Sequence, residues 1–292
     1  IEKGYEDLFI LKKKATHPLT LLRSIASSAA AHISIEYGIK GPCFGTVSAC
    51  STAAHAIGLT YQMIKSGMID MGVAGGSEAS VTYGSMRSWQ AMRVLSPDGC
   101  YPFAKRRNGT VLSEGAGILV LEDLDYARAR GASILAELKG FAMTSDAGDM
   151  VNPSVEGPTS AMQMALEDAG LASTEIDYIN AHGTATTIND VNETRAIKAV
   201  FGTHAYKLSV SSTKSMHGHC LGAGGGVEAV ASIMAIRDGF APPTIGFDTP
   251  GDECDLDYTA NEGRERIISY AMSNSFAFGG LNAVLVFGPA PI

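Results

Sequence analysis

Two stretches of the sequence repeat one order of elements, and this repetition limits what the chain can fold into. Residues 46–58 read TVSACSTAAHAIG, and residues 209–225 read SVSSTKSMHGHCLGAGG. In each stretch a short apolar strand passes through a tight turn into a helix that begins with small residues. Small residues let another backbone approach closely, so we expect both helices to be buried. One duplicated unit could account for both stretches.

Strands and helices alternate along the rest of the chain. Apolar residues at helical spacing, closed by glycine or proline, predict helices at 17–40, 50–67, 125–131, 159–170, 192–202 and 222–237. Short apolar runs between them predict strands at 43–49, 68–76, 116–124, 134–145, 176–183, 207–214, 270–280 and 281–288. The last two strands should be neighbours. This alternation predicts an α/β fold.

Composition argues against several classes of protein. The 22 basic and 30 acidic side chains leave a net charge of −8, which argues against a general nucleic-acid-binding protein. Five widely spaced cysteines without a C-x-x-C motif predict free thiols in a reducing compartment, so we expect a cytoplasmic protein. No apolar run reaches the length that spans a membrane. The chain begins without an initiator methionine or a signal-peptide pattern, so we expect a part of a longer protein.

Cys50 stands where a predicted strand turns into a helix. Backbone N–H groups and the positive end of the helix dipole favour the thiolate at such a place. The turn also presents the sulfur as strand-to-helix nucleophile turns do. The alternative is a small cysteine buried in the core. The residues around Cys50 leave both interpretations open.

Two histidines stand at the carboxyl ends of predicted strands, where α/β sheets keep their ligands. His182 ends the strand at 176–183, and His219 follows the strand at 207–214, close to Lys214. Each could instead be a histidine that is hydrogen-bonded within a loop. The polar segment SNSFAFGG at 273–280 is a fourth candidate beside Cys50, His182 and His219, because one of its backbone N–H groups could point at an oxyanion.

Three other features have alternatives of their own. His217, His219 and Cys220 could bind a metal, but zinc takes four ligands and this cluster offers three, so we predict no catalytic metal. The glycines of 222–228 lack the spacing of a phosphate-binding loop, and close helix packing explains them better. The basic run at 105–107 is either a solvated loop or a contact for an acidic carrier protein.

Together these motifs resemble the β-ketoacyl-acyl-carrier-protein synthases of the I/II type. The resemblance rests on VSACSTAAHAIG, NAHGTATTIND, SSTKSMHGHCLGAGGGVEA and NSFAFGGLN, and it runs from about residue 1 to the C-terminus. It implies the thiolase-like fold, with two pseudo-repeated α/β halves in an α-β-α-β-α layered arrangement. Residues 1–131 would be the remainder of an incomplete N-terminal half that carries the nucleophile. Residues 132–292 would be the C-terminal half, which carries both histidines.

By this resemblance Cys50 is the nucleophile that takes an acyl group from a carrier thioester. His182 and His219 match the two active-site histidines of the family. Their N–H groups would stabilise the enolate that remains when malonyl-carrier loses CO₂. Lys214 matches the lysine that sets the electric field around the histidines, and Glu228 matches the glutamate that pairs with it.

Other matched residues bind or shape the substrate. The backbone N–H groups of Cys50 and Phe278 would form the oxyanion hole for the acyl oxygen, and the Phe278 ring would gate the acyl pocket. Thr184 and Thr186 match hydroxyls that hold the phosphopantetheine arm. That arm arrives on the carrier protein, so no resident cofactor is implied. A structural cation site of some relatives is matched by four residues: Asn180, Glu228, Ser273 and Asn274.

The sequence departs from the family pattern at several positions. Asn108-Gly109-Thr110 stands where Asp-Gly-Phe is usual, and the resemblance places that phenylalanine at the malonyl end of the site. The other departures are Thr187 for a usual proline, His217 for a small residue, Ala277 for glycine and Leu281 for threonine. None removes a catalytic group. We therefore expect a specialised branch, such as secondary-metabolite or nodulation-type synthases, at least as much as fatty acid elongation.

The implied function is a decarboxylative Claisen condensation of malonyl-carrier with an acyl group on Cys50, in fatty acid or polyketide-type biosynthesis. The implied partners are the acyl- and malonyl-loaded carrier protein and a second subunit, identical or related. One alternative is a non-catalytic chain-length-factor-like subunit, but such subunits lack the nucleophilic cysteine. Another alternative is a degradative thiolase, which uses a second cysteine near its C-terminus. No cysteine follows Cys254 in this chain.

Overall fold

The structure is a computed structural model that describes residues 2–291. Its helices are α1 (Glu2–Tyr5), α2 (Thr20–Ser24), α3 (Ser28–Tyr37), α4 (Thr52–Lys65), α5 (Tyr83–Ala91), α6 (Leu124–Ala129), α7 (Glu156–Ala169), α8 (Thr187–Phe201), α9 (Lys214–His217) and α10 (Gly224–Asp238). Its strands are β1 (Met71–Glu78), β2 (Gly115–Glu122), β3 (Ala136–Ser145), β4 (Tyr178–Asn180), β5 (Ser209–Ser211), β6 (Phe240–Ala241), β7 (Arg264–Glu265), β8 (Ala271–Ala277) and β9 (Leu281–Pro289). This alternation confirms the α/β class.

The main sheet has five strands in the order β3-β9-β8-β4-β5. β4 is parallel to β5 and β8, whereas β9 is antiparallel to β3 and β8. The predicted pairing of the last two long strands is confirmed, with Ala277 opposite Leu281 beside the turn. β1 and β2 form a separate antiparallel pair, and β6 pairs with β7. Because β4 and β5 are parallel, the residues that follow them meet at one edge of the main sheet.

Helices α4 and α10 lie between the two larger sheets. α10 packs on β2 and β8, and α4 packs on β1. On β9, Leu285 belongs to the apolar cluster with α4 and α10, whereas Val284 belongs to the cluster with α7 and α8. Successive side chains of a strand point to opposite faces, so β9 is buried on both. The described residues therefore stack as sheet, helices, sheet and helices, which accounts for four of the five expected layers.

The prediction of a buried strand at 43–49 is wrong. Within residues 2–291 no strand pairs with this segment, and Phe44 and Val47 keep 54% and 78% of their surface exposed. Its counterpart in the other half, β5, is hydrogen-bonded to β4. No described strand occupies the equivalent place beside 43–49. A strand exists only through the ladder bonds to a neighbour, so the same kind of sequence forms β5 but remains unpaired here.

Two helical predictions in the first half also need correction. The helix expected at 17–40 is interrupted, because Ile25 is extended with ψ of 142° and separates α2 from α3. α5 was not predicted, because its sequence, YGSMRSWQA, lacks a stripe of apolar residues at helical spacing. α2, α3 and α5 contain no buried residue, so core packing does not define their ends.

The predicted boundary between residues 131 and 132 falls in the loop that joins α6 to β3. Its meaning as a division between two domains stays a prediction. No helix in the described part of the chain combines the length and the hydropathy that crossing a bilayer requires.

Glycines let α10 approach β2 backbone to backbone. A Cβ added to Gly226 would lie 2.3 Å from the Gly117 carbonyl oxygen, and a Cβ added to Gly117 would lie 2.1 Å from the Gly226 carbonyl carbon. Both distances are too short for any side chain. The expectation of a buried, closely packed glycine-rich helix is therefore confirmed.

We expect Gly226→Ala to lower the free energy of unfolding by about 1–3 kcal/mol, because the added methyl group overlaps the backbone of β2. The midpoint of urea unfolding measures this loss. Gly41→Ala is the matched control, since no described residue beyond its two chain neighbours has a heavy atom within 4 Å of the position its Cβ would take. Equal midpoints for the two variants would contradict the close packing of α10 on β2.

Candidate active site

Cys50 lies in a tight turn between the extended segment 43–48 and α4. Ala49 before it has φ of +48°, in the left-handed region that residues with a Cβ seldom adopt. The Ser51 hydroxyl lies 2.9 Å from the carbonyl oxygen of Ser275 and 2.7 Å from that of Leu281. These bonds tie the turn to β8 and β9. They hold Cys50 against the main sheet, where the residue is buried.

His219 contacts Cys50 directly. Its Nε2 atom lies 3.1 Å from Cys50 Sγ. Its backbone N–H donates to the Val111 carbonyl oxygen at 2.7 Å, and its own carbonyl oxygen accepts the Ser113 N–H at 3.1 Å. The segment 111–113 therefore fixes the backbone of His219. The Nδ1 atom is buried and has no hydrogen-bond partner among the described residues.

His182 follows β4 at the carboxyl end of the sheet. Its ring faces that of His219 with 5.6 Å between centroids and an angle of 85° between planes. Lys214 Nζ lies 3.5 Å from His182 Nδ1. An ammonium only donates, so Nδ1 accepts, and we assign the ring proton of His182 to Nε2. Lys214 also forms a fully buried ion pair with Glu228.

Glu193, on α8, holds the loop that carries His182. Its carboxylate accepts the backbone N–H groups of His182 at 2.8 Å and Gly183 at 2.7 Å, and the side-chain N–H of Asn274 at 3.1 Å. The sequence analysis missed this role. An acidic residue in the predicted helix that follows His182 was the available signal, but sequence alone did not show that the residue is buried.

Burial sets the charges of the site. It raises the pKa of the Cys50 thiol to about 11, and the opposing effect of the Lys214 charge is smaller. The expected preference for the thiolate is therefore wrong for the resting protein, because burial of the sulfur is the largest effect on its pKa and disfavours the charged form. Burial, followed by the nearby Lys214 charge, holds the pKa values of His182 and His219 well below the ordinary 6.5. Both imidazoles are neutral near pH 7.

A cavity of about 140 Å³ is lined by several of the predicted site residues. Cys50 and both histidines line it, as do Thr184, Thr186, Phe278, Thr110 and Trp89. The hydroxyls of Thr184 and Thr186 lie 3.0 Å apart. The Phe278 ring packs against Trp89 with 6.0 Å between centroids, a neighbour that the sequence analysis did not single out. The roles of Phe278 as gate and as N–H donor stay predictions.

The cluster at 217–220 is not arranged as a metal site. His217 Nε2 lies 3.1 Å from Thr213 Oγ1, and His217 Nδ1 lies 4.0 Å from Cys220 Sγ. His219 faces Cys50 instead of His217. Over residues 2–291 no group of three or more His, Cys, Asp or Glu side chains is placed to bind a metal.

The four residues matched to a structural cation site do not converge as one set of side chains. Asn180 and Ser273 are partners across β4 and β8, and Ser273 Oγ is buried without a partner in the described chain. Asn274 is the next residue along β8, so its side chain points to the opposite face, where it donates to Glu193. The Asn274 Oδ1 atom is buried without a partner in the described chain, and the cation site stays a prediction. Glu228 is held in its ion pair with Lys214.

The basic run at 105–107 is only partly a solvated loop. Arg106 donates to the Gly246 carbonyl oxygen at 2.6 Å, and its guanidinium lies 3.7 Å from the centre of the Tyr101 ring. Arg107 donates to the carbonyl oxygen of Thr187 at 3.3 Å, at the start of α8. These two arginines therefore hold loops in place. Contact of the run with an acidic carrier protein stays a prediction.

The sequence of the chain matches models of a known protein family. Two family profiles match the chain: Beta-ketoacyl synthase, N-terminal domain, over residues 2–127, and Beta-ketoacyl synthase, C-terminal domain, over residues 135–248. The chain belongs to the beta-ketoacyl synthase family. The resemblance stated from its motifs is confirmed.

Relatives and solved structures extend this match. The chain is 50% identical to Nodulation protein E of Rhizobium meliloti (strain 1021), over 98% of this chain and 71% of the relative. It is 46% identical to 3-oxoacyl-[acyl-carrier-protein] synthase 2 of Coxiella burnetii (strain RSA 493 / Nine Mile phase I), with the same coverage of both chains. A solved type II polyketide synthase acyl-carrier protein in complex with its ketosynthase bound to the hexaketide matches with a TM-score of 0.95 and 32% identity, over 99% of this chain and 74% of that chain. The thiolase-like fold is confirmed.

We expect the buried histidines to make stability depend on pH. The folded state keeps His219 neutral, whereas the unfolded state binds a proton as the pH falls below about 6.5. The folded protein should therefore lose about 1.4 kcal/mol for each pH unit below that value because of His219. Urea unfolding of the wild type and of His219→Gln between about pH 7.5 and 5.5 measures the effect.

The informative quantity is the difference in unfolding free energy between the wild type and His219→Gln at each pH. That difference should become less favourable to the wild type as the pH falls. A constant difference for His219→Gln would show that His219 is not held neutral by burial.

Proposed function

We propose that the chain is a β-ketoacyl-carrier-protein synthase that condenses malonyl-carrier with an acyl group held on Cys50. The observation that carries the proposal is the 3.1 Å contact between Cys50 Sγ and His219 Nε2 in a cavity that His182 also lines. This contact supports the proposal because a thiol and two neutral imidazoles then surround one buried space. Family membership and the 46% identity to a 3-oxoacyl-[acyl-carrier-protein] synthase 2 support the same reaction.

The first step is acyl transfer to Cys50. The sulfur attacks the carbonyl carbon of the carrier thioester, a C–S bond to Cys50 forms, and the bond to the phosphopantetheine sulfur breaks. The thiol proton passes, in the net reaction, to the departing sulfur. The proposal assigns the ring proton of His219 to Nε2, which lies 3.1 Å from Cys50 Sγ and would then donate to the sulfur and stabilise the negative charge that develops on it. This contact offsets the burial that disfavours the thiolate.

The second step is loss of CO₂ from malonyl-carrier. The bond between the carboxylate carbon and the α-carbon breaks, and its electron pair moves towards the thioester oxygen as an enolate. His182, whose Nε2 carries the ring proton, donates to that oxygen together with His219. Neutral N–H donors that are already in place stabilise the new charge, and a pair of this kind commonly accelerates a reaction by about 10²–10³ for each donor.

The third step forms the carbon–carbon bond. The α-carbon attacks the carbonyl carbon of acyl-Cys50, and the bond to Cys50 Sγ breaks. The thiolate that leaves takes up a proton and restores the resting thiol. The backbone N–H groups of Cys50 and Phe278 would hold the acyl oxygen while it carries negative charge.

Lys214 acts through its charge and its position. Its ion pair with Glu228 keeps the ammonium compensated in a fully buried place. Its Nζ faces His182 Nδ1 at 3.5 Å, which keeps the proton of that ring on Nε2. The positive charge also lowers the pKa values of both histidines, so that they remain neutral donors. Lys214 is therefore a positioning residue in this mechanism.

The presence of Cys50 in contact with His219 argues against a non-catalytic chain-length-factor-like subunit. The two histidines in the cavity, with no cysteine after Cys254, argue against a thiolase. A specialised pathway is the branch that we favour, and the 50% identity to Nodulation protein E supports it. The fatty acid branch is the alternative that the relative from Coxiella burnetii represents.

The proposed partner is an acyl carrier protein, loaded with either the acyl or the malonyl group. The solved complex of a related ketosynthase with its carrier protein supports this partner. A second subunit, identical or related, is also proposed. The phosphopantetheine arm would pass Thr184 and Thr186, so no resident cofactor is needed. We place the protein in the cytoplasm, because its five cysteines are all free thiols, which suits a reducing compartment.

We expect Cys50→Ala to abolish the acyl adduct that forms when the protein is incubated with acyl-carrier, because the attacking sulfur is gone. Intact-protein mass spectrometry measures the adduct. Cys43→Ala is the matched control, because it removes an exposed free thiol and should leave the adduct in place. An adduct that persists on Cys50→Ala would refute the assignment of the nucleophile.

We expect His182→Ala and His219→Ala each to slow decarboxylation of malonyl-carrier by about 10²–10³-fold, because each removes one N–H donor to the enolate. Release of CO₂ measures the rate, and some acylation of Cys50 should remain. His217→Ala is the matched control, since that histidine does not line the cavity. Decarboxylation at the wild-type rate in both catalytic variants would rule out the enolate mechanism.

A further inference from the structure

Thr110 is a polar residue of the cavity that the mechanism above does not use. It is 2% exposed and lines the cavity together with Cys50. Its backbone is satisfied: its N–H donates to Val94 at 2.8 Å, and its carbonyl oxygen accepts from Ser96 at 2.8 Å. Its Oγ1 atom is buried and has no hydrogen-bond partner in the described chain. A buried hydroxyl without a partner costs stability, so its presence in the cavity points to a ligand that uses it.

The Cys100 thiol beside Thr110 leaves the Thr110 hydroxyl free to donate to another group. Cys100 lies close enough to Thr110 for the hydroxyl to lower its pKa slightly, but burial dominates and raises the pKa of the thiol to about 11. Cys100 therefore keeps its proton near pH 7. A protonated thiol is a weak acceptor. The O–H of Thr110 is thus available to a group that enters the cavity.

The proposed reaction brings one full negative charge into this space, the free carboxylate of malonyl. A carboxylate that leaves water for a buried site needs hydrogen-bond donors. The two histidines are neutral and serve the thioester oxygen, and the charge of Lys214 is compensated by Glu228. The described site therefore holds no free cation for the carboxylate.

Two other buried polar side chains of the cavity wall, Thr184 and Asn189, already have hydrogen-bond partners. The Thr184 hydroxyl is 3.0 Å from that of Thr186, and the Asn189 amide donates to Asp190 at 3.2 Å. Thr110 is the buried hydroxyl of this lining that lacks a partner among residues 2–291. The donor and the charge that needs it therefore meet in one cavity.

We propose that the Thr110 hydroxyl donates a hydrogen bond to the free carboxylate of malonyl-carrier and so binds and orients the extender unit. This inference rests on the condensation proposed above. No proton is transferred: the bond holds the carboxylate while the carbon–carbon bond breaks and the electron pair moves to the enolate oxygen. The departing CO₂ is uncharged, so the hydrogen bond weakens during the step. Thr110 therefore contributes to binding of the extender more than to the chemical step.

The test compares Thr110→Val, which keeps the shape and removes the hydroxyl, with Thr110→Ser, which keeps the hydroxyl. We expect Thr110→Val to raise KM for malonyl-carrier in the decarboxylation assay by roughly ten- to a hundredfold, the usual effect of losing a hydrogen bond to a charged group. The KM for acyl-carrier in acylation of Cys50 should change much less, and Thr110→Ser should restore most of the malonyl affinity.

A stability measurement separates this effect from misfolding. Thr110→Val removes an unpartnered buried hydroxyl, so its thermal midpoint should equal or exceed that of the wild type. A KM for malonyl-carrier equal to the wild-type value would overturn the inference. So would an equal rise in KM for both carriers, which would assign the hydroxyl to the phosphopantetheine arm that they share. A Thr110→Ser variant as impaired as Thr110→Val would overturn it in favour of a role for the methyl group.

One outcome concerns the underlying function instead. If the wild-type protein forms no acyl adduct on Cys50, the proposed condensation is refuted, and the inference about Thr110 is refuted with it. A wild type that acylates and decarboxylates normally, with an unaffected Thr110→Val variant, would remove the inference alone.

Discussion

The close backbone contact between α10 and the first half of the chain is the constraint on which the rest of the structure depends. A Cβ on Gly225 would lie 3.0 Å from the Ala54 backbone nitrogen, and a Cβ on Gly76 would lie 2.6 Å from the Gly222 carbonyl oxygen. These contacts bring the two strand-turn-helix units together, so that Cys50 from one unit reaches His219 from the other. Hydrogen bonds weaken steeply with distance and angle, so larger side chains at these glycines would separate the reacting groups.

Within this packing Lys214 and Glu228 form a buried ion pair, and the three proposed reacting groups, Cys50, His182 and His219, are neutral. Burial favours the uncharged forms of Cys50, His182 and His219, and the Lys214 charge reinforces the neutral state of both histidines. Neutral N–H donors in a desolvated cavity are suited to stabilising charge that appears only during reaction. The Glu193 carboxylate completes the arrangement by holding the His182 loop through backbone N–H groups. Chemistry and loop order thus depend on the same buried polar groups.

Much of the second half was predictable because its elements are long, apolar and buried on known faces. The α10 helix, the β8–β9 pair and the α/β class follow from patterns of this kind. The strand expected at 43–49 did not form, although its sequence resembles that before the second turn, because strand formation requires a hydrogen-bonded neighbour. α5 was missed because none of its residues is buried, so no apolar stripe marks it. The pattern of apolar residues in a segment shows only what that segment favours by itself. The strands with which it could pair lie elsewhere in the chain.

The sequence by itself determined the residue types of the site and their places at strand ends, which was enough to single out Cys50, His182, Lys214 and His219. The tertiary structure decided which of the candidate interpretations is realised. It turned His219 towards Cys50 and away from His217, placed the Asn274 side chain beside Glu193, and left the Thr110 hydroxyl without a partner inside the cavity. It also decided protonation, because the pKa of Cys50 follows from how completely the folded chain removes the sulfur from water. Distances between residues far apart in sequence, and the burial that sets their charges, exist only once the two halves have packed.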